Sequence, residues 1–236
     1  MDVIRQIPKV PTAKQLKRAG INVAAFVPMA RAGVVPDAFV AFWKIAQRGF
    51  DFLQTKALAG RTDVNRNQAG ALMRDNDKYT HVLMLDADHR HQEDIIERHA
   101  RWVLEDRSKL VIGSLNFRRT FPFDACLFQP DKEGVLHSME TWPKGLVKTP
   151  LMGHGSILIA REIFETLPPP WWAYPYNFAS QGEYPAEDSY FSFNMVRNEI
   201  DMWCDTTITS PHFTNMAVNA ETHQSARQAR QQANEG

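Results

Sequence analysis

Short apolar runs alternate with helical patterns along the first half of the chain. Residues 21–29, 50–58, 80–85 and 110–115 form runs with the length and side-chain types of buried strands. Apolar positions recur at helical spacing in 36–47, in the segment that Asp63 caps, and in the segment that follows Glu93 and Asp94. This alternation predicts a doubly wound, mostly parallel, Rossmann-like α/β sheet, which binds ligands at the carboxyl ends of its strands.

The second half follows a different pattern. Residues 121–130 and 134–142 predict a smaller antiparallel ribbon, residues 155–160 a returning strand, and residues 161–167 a short helix. Prolines crowd residues 168–185, which predicts a loop, and Pro211 ends a further strand that starts near residue 201. We expect this half to form the second wall of a cleft.

Length and composition favour one main domain. The chain has 236 residues, of which 44% are hydrophobic, enough for a single buried core. We expect an N-terminal extension at 1–20, a single domain at 21–213, and a helical tail at 214–236 that is rich in Gln, Ala and Arg. Since no run reaches the length of about 18 apolar residues that a membrane span needs, we expect no membrane insertion and a cytoplasmic location.

Charge and cysteine content exclude several classes of function. The 27 Lys and Arg residues balance the 27 Asp and Glu residues, so no overall field favours nucleic acid or an acidic membrane. Cys126 and Cys204 form no CxxC pair, which argues against a zinc knuckle and fits a reducing compartment.

The strongest chemical signal is the segment THVLMLDADHR at 80–90, an apolar run that ends in Asp86 and Asp88. Side chains two positions apart on a strand share a face and lie roughly 6.5–7 Å apart. Two carboxylates so placed need water, a cation or hydroxyl groups beside them. The alternative is that they are ordinary acidic residues at a solvent-exposed strand end.

Three later features accompany this pair. Glu187 and Asp188 open a helix, where acidic residues also interact favourably with the helix dipole. His212 follows a strand end, where it is either a ligand or a plain surface residue. Glycines flank His154 just before a strand, where they serve a turn or let the backbone approach a ligand closely.

Taken in order, these features resemble the four hallmark motifs of GT-A fold glycosyltransferases, over about residues 21–213. The small stand-alone members of this family include viral, phage-like enzymes, which this chain resembles in size. Arg66 and Asn67, in the segment DVNRNQA, resemble a helix start found in many relatives. The four motif matches are the DXD motif at Asp86, Ala87 and Asp88, the glycine-rich loop at Gly153, His154 and Gly155, the xED motif at Ala186, Glu187 and Asp188, and the C-terminal metal histidine at His212.

The resemblance implies a fold and a reaction. Residues 21–117 would bind a nucleotide sugar, either a UDP- or a GDP-sugar, and residues 118–213 would bind the acceptor. A divalent cation, Mn²⁺ or Mg²⁺, would neutralise the departing diphosphate, and an imidazole ligand favours Mn²⁺. Asp188 would be the general base for transfer with inversion, with Glu187 as the second choice, while retention stays open if this pair lies far from the acceptor.

The same resemblance assigns the remaining site residues. Asp88 and His212 would hold the metal with help from Asp86, and the glycine-rich loop would face the acceptor. The donor-binding residues would be Arg66, Asn67, Asp86, Pro28 and Arg31.

The aromatic residues Trp171, Trp172 and Tyr174 allow two interpretations. They are either a platform on which an acceptor stacks or a hydrophobic plug that anchors a long loop. An acceptor platform would suit a glycan or a modified DNA base, and in the second case basic residues such as Arg118 and Arg119 would follow the phosphate backbone. Those basic residues are equally well explained as solvated faces.

Two other functions compete with sugar transfer. A sugar nucleotidyltransferase shares this design, but the segment after the first strand has one glycine, Gly33, where such enzymes need several. A non-catalytic sugar- or nucleic-acid-binding module of the same fold is the other alternative. The chain lacks the GxGxxG of a dehydrogenase and the GxSxG of a serine hydrolase.

Overall fold

The computed structural model of the chain describes residues 1–29, 36–54, 61–174, 186–214 and 217–235. The helices are α1 Ala13–Arg18, α2 Pro36–Gln47, α3 Thr62–Arg74, α4 Ile95–Glu105, α5 Arg161–Thr166, α6 Glu187–Arg197 and α7 Ala220–Glu235. The strands are β1 Val3–Ile4, β2 Val23–Phe26, β3 Asp51–Phe52, β4 His81–Leu85, β5 Val111–Leu115, β6 Leu127–Pro130, β7 Leu136–Ser138, β8 Leu146–Lys148, β9 Leu151–Met152, β10 Ser156–Ala160, β11 Met202–Thr209, β12 His212–Phe213 and β13 Ala217–Val218.

A large mixed sheet forms the centre of the molecule, in the strand order β1-β8-β11-β5-β10-β4-β2-β3. Strands β2, β3 and β4 are parallel to one another, as are β5 and β11. Strand β10 runs antiparallel to β4 and β5, and β8 runs antiparallel to β1 and β11. The prediction of a mostly parallel sheet is therefore confirmed, with β8 and β10 reversed.

Strict alternation along each buried strand divides the core into two layers. In β4, Val82 and Met84 face one core while Leu83 and Leu85 face the other. The first core also contains buried residues of α3, α5 and α6, and the second contains those of α1, α2 and α4. Because successive side chains of a strand point to opposite faces, a sheet with helices on both faces needs apolar residues at every position of its central strands.

The smaller sheets lie in the second half of the chain. Strands β7, β6 and β9 form an antiparallel sheet of three strands, which confirms the predicted ribbon. Strands β12 and β13 pair antiparallel and match His212 with Val218.

Some predicted boundaries need correction. Helix α3 begins at Thr62, and its N-cap is Arg61 rather than Asp63. Asp63 lies in the first turn and accepts a hydrogen bond from Arg61 at 2.7 Å. The predicted strand at 50–58 is represented by the short β3, and residues 55–58 fall outside the described part of the chain.

Residues 1–20 are part of the main fold rather than an extension from it. Strand β1 adds to one edge of the large sheet, and Leu16 of α1 is buried in the second core. In the tail, α7 buries His223 against Phe117 and Trp142. Within the described ranges, no helix has the length and apolar character that crossing a bilayer requires.

Candidate active site

The residues of the predicted motifs meet on the side of the large sheet where most of its strands have their carboxyl ends. Asp86 and Asp88 follow β4, and His212 follows β11, so both lie beyond the carboxyl ends of strands that point the same way. His154 precedes β10, and because β10 is antiparallel its start lies at that same edge. The reversed direction of β10 therefore brings Gly155 to Asp86, whose backbone N–H donates to the Gly155 carbonyl at 2.9 Å.

Asp88, His89 and His212 form a compact cluster that offers ligands to a metal ion. Their candidate ligand atoms all lie within 4.8 Å of one another. Nδ1 of His89 lies 3.0 Å from Oδ1 of Asp88, and Nε2 of His212 lies 3.2 Å from Oδ2. The two imidazole rings stack with their centroids 4.0 Å apart.

The hydrogen bonding of His212 fits a metal ligand. Its Nδ1–H donates to the backbone carbonyl of Phe117 at 2.9 Å, which leaves Nε2 directed at the Asp88 carboxylate. A neutral imidazole nitrogen and a carboxylate oxygen are both acceptors, so a proton or a shared metal ion must lie between them. Fixing one ring nitrogen by a carbonyl is the usual way in which proteins orient a histidine ligand. One carboxylate and two imidazoles suit Mn²⁺ or a later transition metal better than Mg²⁺.

Asp88 is held in its ionised form by its neighbours. Burial acts to raise the pKa of this carboxyl, but hydrogen bonds from His212 and His89 outweigh burial and hold the pKa well below its usual range. Arg119 adds a third contact, with its Nη1 3.0 Å from Oδ2. Asp88 is therefore a full negative charge at the centre of the cluster.

Arg66 forms a second centre beside the first. Its side chain is 1% exposed, and Nη2 donates to Asp86 at 2.7 Å and to the carbonyl of His154 at 3.3 Å. Nη1 lies 3.5 Å from Asp188 and 3.8 Å from Glu187. One buried guanidinium thus connects Asp86, after β4, with Glu187 and Asp188 at the start of α6.

Glu187 and Asp188 differ in environment although they are neighbours. Burial, followed by the charge of Asp188, raises the pKa of Glu187 to about 7. The Tyr174 hydroxyl donates a hydrogen bond to Glu187. Asp188 is more exposed, and its Oδ2 accepts the backbone N–H of His154 at 3.1 Å. Asp188 is therefore the better placed of the two to reach a bound molecule.

The glycine-rich loop is shaped by close packing inside the protein. A Cβ on Gly153 would lie 2.7 Å from the Cβ of Cys126, and one on Gly155 would lie 2.8 Å from Nε2 of His89. His154 is buried between them, and its Nδ1 accepts a hydrogen bond from Trp172 at 3.2 Å. Burial, then the charge of Arg66, holds the pKa of His154 well below its usual value. The loop meets Asp188 through its backbone, and the His154 side chain points into the interior, so its predicted acceptor role stays a prediction.

Several predicted roles need correction. Asp86 pairs with Arg66 and is not in the metal cluster. Arg66 is buried and paired with carboxylates, and its assignment to the donor stays a prediction. Asn67 accepts the backbone N–H of Trp171 at 2.8 Å and donates to the carbonyl of Trp172 at 2.6 Å, so it holds a loop in place.

The aromatic platform is also wrong for two of its members. Trp171 and Trp172 are buried in the first core, where Trp172 stacks on Phe191 with centroids 4.5 Å apart. The hydrophobic plug is the correct interpretation of this pair. Tyr174 is partly exposed and lies under the guanidinium of Arg61.

Two donor-site assignments remain to be placed. Pro28 is buried just after β2 at the same edge of the sheet. Arg31 lies outside the described residues, so its assignment stays a prediction.

Sequence reasoning missed His89, a member of the cluster, and Arg119, which contacts Asp88. His89 directly follows the DXD motif, and an isolated bridge pairs it with His212. The signal available was an imidazole adjacent to a carboxylate at a strand end. For Arg119 the sequence offers only a phosphate-backbone contact or a solvated face, because nothing in its local sequence indicates that the loop after β5 returns to Asp88.

Comparison with known proteins gives a fold and no family. No family model matches the chain, and no curated protein sequence is similar to it. Among solved structures, the chain is similar to A197 from STIV, with 15% identity over 86% of this chain and 92% of that chain and a TM-score of 0.62. This likeness shows a shared fold.

Two further solved structures align at lower scores. One is CMP:2-keto-3-deoxy-manno-octonic acid synthetase complexed with CTP, at 10% identity over 89% of this chain and 99% of that chain, with a TM-score of 0.45. The other is a glycosyltransferase involved in glycosylation of the major capsid of PBCV-1, at 11% identity over 88% of this chain and 99% of that chain, with a TM-score of 0.34. At these scores neither carries an argument about this chain.

Proposed function

We propose that the chain is a metal-dependent glycosyltransferase that moves a sugar from a nucleotide-sugar donor to an acceptor hydroxyl. The observation that carries the proposal is the convergence of Asp88 and His212, which are 124 positions apart in sequence and 3.2 Å apart in space. If Asp88 and His212 were unrelated surface residues at two strand ends, this contact would not be expected. The Arg66 contacts to Asp86 and Asp188 support the same assignment.

In this proposal Asp88, His212 and His89 hold Mn²⁺ or Mg²⁺. When bound, the cation supplies Lewis-acid stabilisation of the negative charge on the departing nucleoside diphosphate. The chain's own contribution is to keep Asp88 ionised and to orient His212 through the carbonyl of Phe117.

Asp188 is the proposed general base. Its Oδ2 is fixed by the backbone N–H of His154 and its Oδ1 faces Arg66, so the carboxylate is held in one orientation. Since its side chain is 26% exposed, an acceptor hydroxyl can reach it and transfer its proton there as the sugar is attacked. In-line attack of this kind inverts the anomeric carbon, and Glu187 is the second choice as base.

Donor binding is tested by thermal unfolding with UDP, GDP, CDP and dTDP, each with Mn²⁺, with chelator, and in the variant Asp88→Ala. A ligand at 100 times its dissociation constant stabilises by about 2.7 kcal/mol, and each kcal/mol moves the midpoint of a chain this size by roughly 2–4 °C. We expect a shift with one nucleotide that requires both the metal and Asp88. If none of the four nucleotides shifts the unfolding midpoint, the proposal is contradicted.

The base is tested with Asp188→Asn. We expect turnover to fall by about 10²- to 10⁴-fold while donor affinity stays close to that of the wild type. Asp75→Asn is the matched control, because Asp75 is an exposed carboxylate that pairs with Arg74 at the far end of α3. Full turnover by Asp188→Asn at saturating donor would exclude Asp188 as the base.

Product analysis separates this function from its competitor. A glycosyltransferase releases a nucleoside diphosphate from a nucleotide sugar, whereas a nucleotidyltransferase releases pyrophosphate from a nucleoside triphosphate. We propose UDP- and GDP-sugars as the first donors to try, and a glycan or a modified DNA base as the acceptor.

A further inference from the structure

Arg119 is the exposed cation that touches the proposed metal cluster. It lies beyond the carboxyl end of β5, and its Nη1 is 3.0 Å from Oδ2 of Asp88, the same oxygen that faces Nε2 of His212. The side chain is 56% exposed, and Asp88 is its one ion-pair partner among the residues that the structure describes. An exposed arginine held by one carboxylate can leave it at little cost.

A metal ion held by Asp88 and His212 would compete with Arg119 for Oδ2 of Asp88. A divalent cation bound to Asp88 and His212 would lie close to the guanidinium, and two positive charges at that distance repel each other. A bound cation would therefore favour release of Arg119 from Asp88. The freed guanidinium would lie at the carboxyl ends of the strands, where ligands of this kind of fold bind.

We infer that Arg119 binds the diphosphate of the donor once the metal has displaced it from Asp88. This inference rests on the proposed function. A guanidinium is planar and presents paired N–H groups that match phosphate oxygens, so the freed side chain suits a diphosphate held at the metal. Arg119 would thus have two alternating anionic partners, the Asp88 carboxylate without donor and the diphosphate with it.

Other nearby arginines are less well placed for this role. Arg66 is buried and bound to three acidic side chains. Arg90 is exposed, but it faces Asp37 at 4.0 Å rather than the cluster. Arg119 combines exposure with direct contact to a proposed metal ligand.

The test measures two affinities that this exchange moves in opposite directions. Mn²⁺ alone is titrated by calorimetry, and then the nucleoside diphosphate that stabilises the wild type is titrated in the presence of Mn²⁺. For Arg119→Ala we expect Mn²⁺ to bind about two- to five-fold more tightly, because a competing surface ion pair is lost. We expect the nucleoside diphosphate to bind about ten-fold more weakly, because a charge-assisted hydrogen bond is lost. The corresponding nucleoside monophosphate should lose less affinity.

Two further variants and the possible outcomes make the test decisive. Arg119→Lys should lie between the wild type and Arg119→Ala, and Arg74→Ala removes the same charge from the remote end of α3 and should change neither affinity. If Arg119→Ala lowers both affinities or changes neither, while the wild type binds metal and nucleotide, the inference is wrong and the proposed function stands. If the wild type binds neither metal nor nucleotide, both are wrong.

Discussion

Replacing Arg66 tests whether one buried cation holds the two acidic motifs together. The variant Arg66→Met keeps a side chain of similar length and removes the charge. Asp86, Glu187 and Asp188 would then lose the guanidinium that lies 2.7–3.8 Å from their carboxylates. Three neighbouring acidic groups without a cation are expected to repel one another and to destabilise the folded chain.

The size of the effect follows from burial. Removing one partner of a fully buried ion pair costs about 3–5 kcal/mol. The side chains of Asp86 and Asp188 are 27% and 26% exposed, so water screens part of their charge, whereas Glu187 is 9% exposed. We therefore expect a loss of about 2–3 kcal/mol in the free energy of unfolding, below the value for a fully buried pair.

Urea unfolding near neutral pH measures this loss directly. Arg66→Lys keeps the charge without the planar fork and should lose less stability than Arg66→Met. Adding Asp188→Asn to Arg66→Met should recover part of the loss, because one uncompensated carboxylate is removed. A loss below about 0.5 kcal/mol for Arg66→Met, the scale of an ordinary surface substitution, would refute the reasoning.

Two further predictions concern Glu187 and Trp172. The pKa of Glu187 rises from 4.5 to about 7 on folding, so the folded chain keeps a proton that the unfolded chain releases, and stability falls as the pH rises between these values. Glu187→Gln should therefore gain stability relative to the wild type as the pH rises across that interval, by up to about 3 kcal/mol. Urea unfolding of both proteins at pH 4.5 and pH 7 measures this gain. A stability difference between them that is the same at both pH values would contradict the prediction. Trp172→Ala should lose about 3–5 kcal/mol in the same assay, because it empties a buried site. An unchanged free energy of unfolding would contradict this role of Trp172 in the core.

The elements of the fold were readable because their signals are local. Helix α2 carries apolar residues at helical spacing, and β4 is a continuous apolar run whose ends are polar. The direction of β10 and the place of β1 at a sheet edge depend on which strands meet in space. Because β1 has only two residues, its sequence does not indicate whether it extends away from the domain or adds a strand to the edge of the sheet.

The metal cluster could be anticipated in part and the buried network could not. Asp88 and His212 each follow a strand, and strands that point the same way bring their ends to one edge of a sheet. Arg66 and Trp172 have side chains that equally suit a ligand site or the interior. Their burial depends on α3, α6 and the segment after α5 packing on one face of the sheet, which no local pattern encodes.

Gly155 lies between the Asp88 cluster and the ion pairs of Arg66. Its carbonyl accepts the backbone N–H of Asp86 at 2.9 Å, next to the Arg66 network. On its other side a Cβ would lie 2.8 Å from Nε2 of His89 and 2.6 Å from Oδ1 of Asn116, closer than real Cβ atoms come to other groups. Any side chain at this position would have to displace Asn116 or His89, and His89 contacts Asp88 through its Nδ1. The small size of Gly155 therefore makes room for the imidazole of His89, and the cluster of Asp88, His89 and His212 depends on it.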